Sequence, residues 1–169
     1  MRRFLTCFLV LLAFSCKNID QKKININSIN ASSFSIFNTV SGKSILLSAS
    51  EENISNAFGK PESVKKGISQ NKDILAEKWT YKGAEINILN GRMNQIWLNS
   101  PAYSLSLHGT SVKIGENISK LQPMFPDSFL RRSAKNVLVG LHYNGEPIES
   151  YLQFDFNTSD EISSISLTE

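Results

Sequence analysis

Few side chains in this 169-residue chain are of types that do chemistry, and their spacing excludes most of it. Its two thiols, Cys7 and Cys16, both sit at the start, so the body of the chain has neither a cysteine nucleophile nor a disulfide pair. His108 and His142 are too few for a metal site, and period-2 counting puts each on the polar side of its strand. If those strands are neighbours, the two imidazoles share a surface. The acidic pairs Glu51-Glu52 and Asp160-Glu161 fall at a helix start and in a turn, where carboxylates support a helix terminus or stay hydrated. Ser41-Gly42-Lys43-Ser44 matches the end of a phosphate loop, but the glycine that should open it falls at Phe37. There is no Gly-x-Ser-x-Gly elbow and no His-Glu-x-x-His helix. The expectation is a chain with no enzymatic activity, no metal and no cofactor.

A different set of residues suits recognition. Trp97 lies between inward Ile96 and Leu98, and Tyr151 alternates with Leu152 beside Gln153. Aromatic side chains among polar ones on an outer sheet face are favoured anchors for protein partners. Trp97, Tyr151, Gln153 and His142 are therefore the candidate partner-binding residues, whereas Trp79 and Tyr81 are assigned to the core.

The first sixteen residues set an address. Met1-Arg2-Arg3 precedes an apolar run from Phe4 to Phe14, then Ser15-Cys16. Eleven helical residues at ~1.5 Å each reach only about half of a ~30 Å hydrocarbon core. The run is read as a secretory leader, residues 1–15, and not as a span. Leu12-Ala13-Phe14-Ser15-Cys16 resembles the lipobox of bacterial lipoproteins, although Ala13 stands where the strict pattern has leucine. The resemblance implies that Cys16 is lipidated and that, with Lys17 in place of the aspartate associated with inner-membrane retention, the destination is the outer membrane; an ordinary secretory leader with an incidental cysteine and an uncleaved anchor are the alternatives.

Cleavage there leaves 154 residues and removes Arg2 and Arg3, so 18 basic residues against 15 acidic become 16 against 15. That near-neutral balance gives no support to nucleic-acid binding. Lys22-Lys23 near the anchor is placed to touch anionic head groups, while Lys60, Lys65 and Lys66, and Arg131-Arg132 with Lys135, read as solvated surface. Residues 16–32, lacking aromatics and rich in Asn, Lys and Ser, read as the lipidated cysteine and a flexible tether, with order beginning near Ser33.

The positioning elements follow from a repeat near 64 residues. Glu52-Asn53-Ile54-Ser55 returns as Glu116-Asn117-Ile118-Ser119, and Pro61-Glu62-Ser63-Val64 as Pro126-Asp127-Ser128-Phe129. Ile54, Ala57 and Phe58 have helical spacing behind candidate caps Ser48 and Ser50; Ile118, Leu121 and Phe125 repeat that face, with Pro123 shortening or kinking it. The period then switches to 2 through Trp79, Tyr81, Ala84, Ile86 and Ile88, with hairpin turns at Asn90-Gly91 and Asn144-Gly145. The pattern predicts an α+β fold of two tandem repeats, residues 33–103 and 104–169, each a short helix followed by antiparallel strands, with the helices packed on one face of the sheet.

That order, with Gly59-Lys60-Pro61, Trp79-Thr80-Tyr81 and the Asn90-Gly91 hairpin, resembles the fold shared by the barrel-assembly lipoprotein BamE and β-lactamase inhibitor protein (BLIP-like). The second copy departs from it, with Met124-Phe125-Pro126 in place of Gly-x-Pro and Leu141 in place of Trp. The reading from sequence is a membrane-anchored lipoprotein of the bacterial cell envelope acting as a protein-binding or scaffold module. Its alternatives are a small-ligand carrier or enzyme with a cleft between the repeats, lined by His142 and Asp155, and an inhibitor of an envelope enzyme.

Overall fold

The structure, a computed structural model, describes residues 26–68 and 74–168. The leader, Cys16 and most of the expected tether lie outside the described residues. In chain order the elements are β1 (Ser28–Asn30), β2 (Phe34–Asn38), β3 (Lys43–Leu46), α1 (Glu51–Phe58), β4 (Ser63–Ile68), β5 (Leu75–Tyr81), β6 (Ala84–Leu89) and β7 (Arg92–Leu98). They continue with β8 (Tyr103–Leu107), β9 (Thr110–Lys113), a 3-10 turn at Ile118–Leu121, α2 (Pro126–Leu130), β10 (Asn136–Tyr143), β11 (Glu146–Phe156) and β12 (Ile162–Thr168).

The strands form two sheets, an eight-stranded one in the order β1-β10-β11-β12-β7-β6-β5-β4 and a four-stranded one in the order β3-β2-β8-β9. β1 runs parallel to β10. The seam between the two halves of the chain is the antiparallel pairing of β12 with β7, where Ile165, Ser166 and Leu167 face Leu98, Trp97 and Ile96.

This overturns the expected α+β fold of tandem helix-strand repeats. Strand accounts for 55% of the structure and helix for 12%, with two α-helices among the described residues. The layer over the large sheet is chiefly a second sheet, in which β2 from the first half pairs with β8 from the second. The boundary drawn at residue 103 runs through the start of β8. The physical reason lies in the second helical stretch. Pro123 cannot donate to a helix ladder, so Ile118–Leu121 closes as a 3-10 turn and a new five-residue helix starts with Pro126 in its first turn. Two short helices cannot bury the apolar face of eight strands; the second sheet does so.

Other local expectations match the elements. Ser50 caps α1, its Oγ accepting from the Asn53 N–H at 3.3 Å, and Gly59 ends the helix at φ 81°. Asn90-Gly91 and Asn144-Gly145 both have positive φ at both residues, the backbone that a two-residue hairpin demands. Ser28–Asn30, read as tether, forms β1.

The inward residues of both sheets, of α1 and of the 3-10 turn merge into one buried cluster that includes Ile36, Ile54, Ile86, Leu105, Leu121 and Phe154. Phe58 of α1 stacks on Tyr103 at 5.1 Å and meets Tyr81 at 5.4 Å, tying helix and both sheets together. Burial without a hydrogen-bond partner pushes the Tyr81 hydroxyl up to about 12.

One carboxylate is also drawn inside. Glu77 is buried beside core Trp79, accepting from Lys66 Nζ and from Trp79 Nε1, each at 2.8 Å. The Lys66 hydrogen bond, then that of Trp79, holds it below its ordinary 4.5.

Two outcomes are expected. Ile165→Ala, at a buried seam position, should cost ~2–5 kcal/mol yet leave a single denaturation transition, because both halves share one core; two resolved transitions contradict this. Because Glu77 titrates lower folded than unfolded, its stabilisation is present above pH 4.5 and lost as pH falls through the folded value. Glu77→Gln should therefore show a shallower fall in stability below pH 4.5 in denaturant titrations, and an unchanged slope refutes the assignment.

Candidate functional site

The large sheet has one face against the core and one face free of any covering element among the described residues. Strand alternation chooses what this outer face carries. Leu152, Phe154, Ile165, Leu167, Ile96, Leu98 and Ile86 point inward, so Tyr151, Gln153, Asp155, Ser166, Gln95, Trp97, Glu85 and Asn87 point outward.

Register aligns these residues into rows. Leu138 pairs with Gln153, Gln153 with Ser166, Ser166 with Trp97, Trp97 with Glu85 and Glu85 with Thr80. The row crosses the seam, so its two flanks come from opposite halves of the chain. Tyr151 lies two residues along β11 from Gln153, and Trp97 and Tyr151 are each 39% exposed. Short Ser166, itself buried between larger neighbours, leaves a shallow depression of about 450 Å³ beside the indole, lined by Glu85, Asn87, Gln95, Gln153 and Asp155.

The polar groups are fixed in place. Asn87 Nδ2 donates to Gln95 Oε1 at 2.9 Å; Asp155 accepts from Gln153 Nε2 at 2.8 Å and from Ser164 Oγ at 2.6 Å. Lys78 forms an ion pair with Glu85 at the far flank. Such a surface offers a rigid aromatic platform ringed by acceptors, suited to recognition by stacking and hydrogen bonding. No group of three or more His, Cys, Asp or Glu side chains converges as a metal site among the described residues.

The sequence-predicted residues do not all meet. Trp97 and Gln153 share a row and Tyr151 stands beside it. His142 is on the same face but at the β1 edge, paired with Asn30 and with Nδ1 3.2 Å from Ser28 Oγ. A cleft lined jointly by His142 and Asp155 is not formed there, since Asp155 lies in the Trp97 depression and His142 does not. His108 falls in the β8–β9 turn with φ 49°, in the other sheet, so the two imidazoles share no surface. Ser41-Gly42-Lys43-Ser44 serves the end of α1: Ser41 Oγ donates to the Ala57 carbonyl at 2.7 Å and Lys43 Nζ to that of Asn56 at 3.1 Å. That lysine occupies a helix C-terminus, the end opposite to one that attracts phosphate.

Leu138, Glu85 and Gln95 belong to the face and were not singled out from sequence. Leu138 was legible, as the odd member between inward Val137 and Val139. The outward side of Glu85 was legible in the same way, between inward Ala84 and Ile86, but its neighbour was not: counting back from Asn90-Gly91 pairs it with Ile96, and a bulge at Asn87/Ile88 shifts it to Trp97.

No family model and no curated protein matches the chain. Among solved structures, an extracellular protein containing an SCP domain from Bacillus anthracis superimposes with a TM-score of 0.40 at 8% identity, over 73% of this chain and 44% of its own. The chain thus spans less than half the length of that protein, and a likeness of this degree carries no argument about function.

The exposure difference between the two indoles is directly measurable. Trp97→Phe should remove the component of tryptophan fluorescence that acrylamide quenches readily, leaving that of buried Trp79. Equal quenching before and after the substitution contradicts an open face.

Proposed function

We propose that this chain is a lipid-anchored protein of the bacterial cell envelope, held through Cys16 and bound for the outer membrane, whose open sheet face docks a protein partner. The observation that carries this reading is the placement of Trp97, Tyr151 and Leu138, all exposed, on the one face of the large sheet that the second sheet leaves bare. Partly exposed aromatics set among preordered polar groups are the anatomy of a recognition surface. Glu85, paired with Lys78, and Asp155, accepting from Gln153 and Ser164, line the depression beside the indole and keep further carboxylate lone pairs for a partner segment rich in N–H donors or cations. The proposal is of a binding module and not a catalyst, and it carries over from the BamE-like and BLIP-like resemblance only the class of task, engagement of another protein.

Cross-linking in intact cells, with the partner identified by mass spectrometry, tests it. Recovery should fall at least about tenfold for Trp97→Ala combined with Tyr151→Ala, an effect of ~1–2 kcal/mol or more for paired aromatic anchors, while circular dichroism stays unchanged. Undiminished recovery with the fold intact refutes the use of this face.

A further inference from the structure

The chain enters the described structure at one corner, and that corner is built around Asn27. Its backbone N–H donates to Ser128 Oγ at 3.0 Å, its Oδ1 accepts from the N–H groups of Asp127 and Ser128 at 2.8 and 3.0 Å, and its carbonyl accepts from Gly140 N–H at 2.9 Å. Asn27 thus staples the entering chain to both α2 and β10. Cys16 is eleven residues away, so at ~3.3–3.6 Å per residue the sulfur lies within at most about 40 Å of this point.

The segment that follows α2 differs from the rest of the surface. Leu130 is 80% exposed, and Arg131, Arg132 and Lys135 are all exposed beside it. None of the three cations forms an ion pair among the described residues. The one carboxylate between Pro126 and Lys135 is Asp127, which lies 3.4 Å from the Asn27 amide nitrogen. The loop is held in shape. Arg132 lies 4.2 Å over the Phe129 ring and donates to the Phe129 carbonyl at 2.9 Å. Ser133 Oγ accepts from the N–H groups of Lys135 and Asn136 at 3.1 and 3.0 Å. The Lys135 carbonyl accepts from Phe156 N–H at 2.9 Å.

We propose that Leu130, Arg131, Arg132 and Lys135 form a second contact with the bilayer, with the leucine entering the interface and the cations meeting anionic lipid head groups. The proposal rests on the reading of Cys16 as lipidated, and it concerns residues that the sequence left as solvated surface. Two independent observations commit the occupant to a membrane: the chain leading to Cys16 ends at this corner, and the corner is cationic with an exposed apolar tip. Each basic residue near an anionic surface strengthens association about fivefold, so three together give on the order of a hundredfold, lost as salt screens them. A tether alone lets the domain sample all orientations; this contact holds one, in which the bilayer meets the α2 corner.

The test uses the acylated full chain, purified from envelopes and reconstituted into vesicles of phosphatidylcholine alone or mixed with phosphatidylglycerol. An environment-sensitive dye is attached at Ala134→Cys, or at Ser44→Cys on β3 as a remote control. The expected result is a blue-shifted emission at position 134 on the anionic vesicles only, reversed by salt and by Leu130→Ser with Arg131→Glu and Arg132→Glu, and no shift at position 44. The same emission at 134 on both vesicles, with acylated Cys16 verified by mass spectrometry, overturns the contact and leaves the anchor reading standing. A shift that persists on anionic vesicles while Cys16 proves unacylated supports the contact and overturns the anchor.

Discussion

The pairing of β12 with β7 is the interaction on which the rest depends. It joins strands from the two halves of the chain into one continuous sheet, with Leu98 and Ile165 buried on one side and Trp97 and Ser166 aligned on the other. Without it the halves would each present an unpaired strand edge, a costly and aggregation-prone arrangement. With it, backbone hydrogen bonds, an apolar core and the outer aromatic row are all set by a single register, and a slip of one residue would exchange the two faces.

The two faces obey different physics. Inside, burial of Ile, Leu and Phe side chains from both sheets supplies most of the stability, and the carboxylate taken along, Glu77, is paired by Lys66 and Trp79, whereas the Tyr81 hydroxyl is buried without a partner. Outside, the cross-strand partners alternate aromatic, amide, hydroxyl and carboxylate groups that bond one another, which keeps them ordered without covering them. The proposed roles divide in the same way, with the middle of the sheet offered to a protein partner and the α2 corner to the bilayer, so the two contacts do not compete for surface.

Much of the local structure was legible because it rests on short-range constraints. Asn-Gly pairs announced the two hairpins, Ser50 and Gly59 bounded α1, and alternation separated inward Trp79 and Tyr81 from outward Trp97 and Tyr151. The expectation of helices covering the sheet failed because hydrophobic spacing around Ile118, Leu121 and Phe125 is shared by a helix and by a 3-10 turn followed by a short helix, and prolines selected the latter. Four short strands, β2, β3, β8 and β9, supply the cover, and two of them come from each half of the chain.

Residue order by itself determined the strand faces, the turns, the absence of a thiol from the body of the chain, and the outward placement of Trp97 and Tyr151, since each depends on neighbours a few positions apart. Tertiary structure decided which strands adjoin, and so that Trp97 stands beside Ser166 and Glu85, that His142 and His108 lie apart, and that Asn27 carries the entering chain to the basic α2 corner. Those outcomes turn on a bulge, a seam and contacts across about a hundred positions, and no local periodicity encodes contacts of that range.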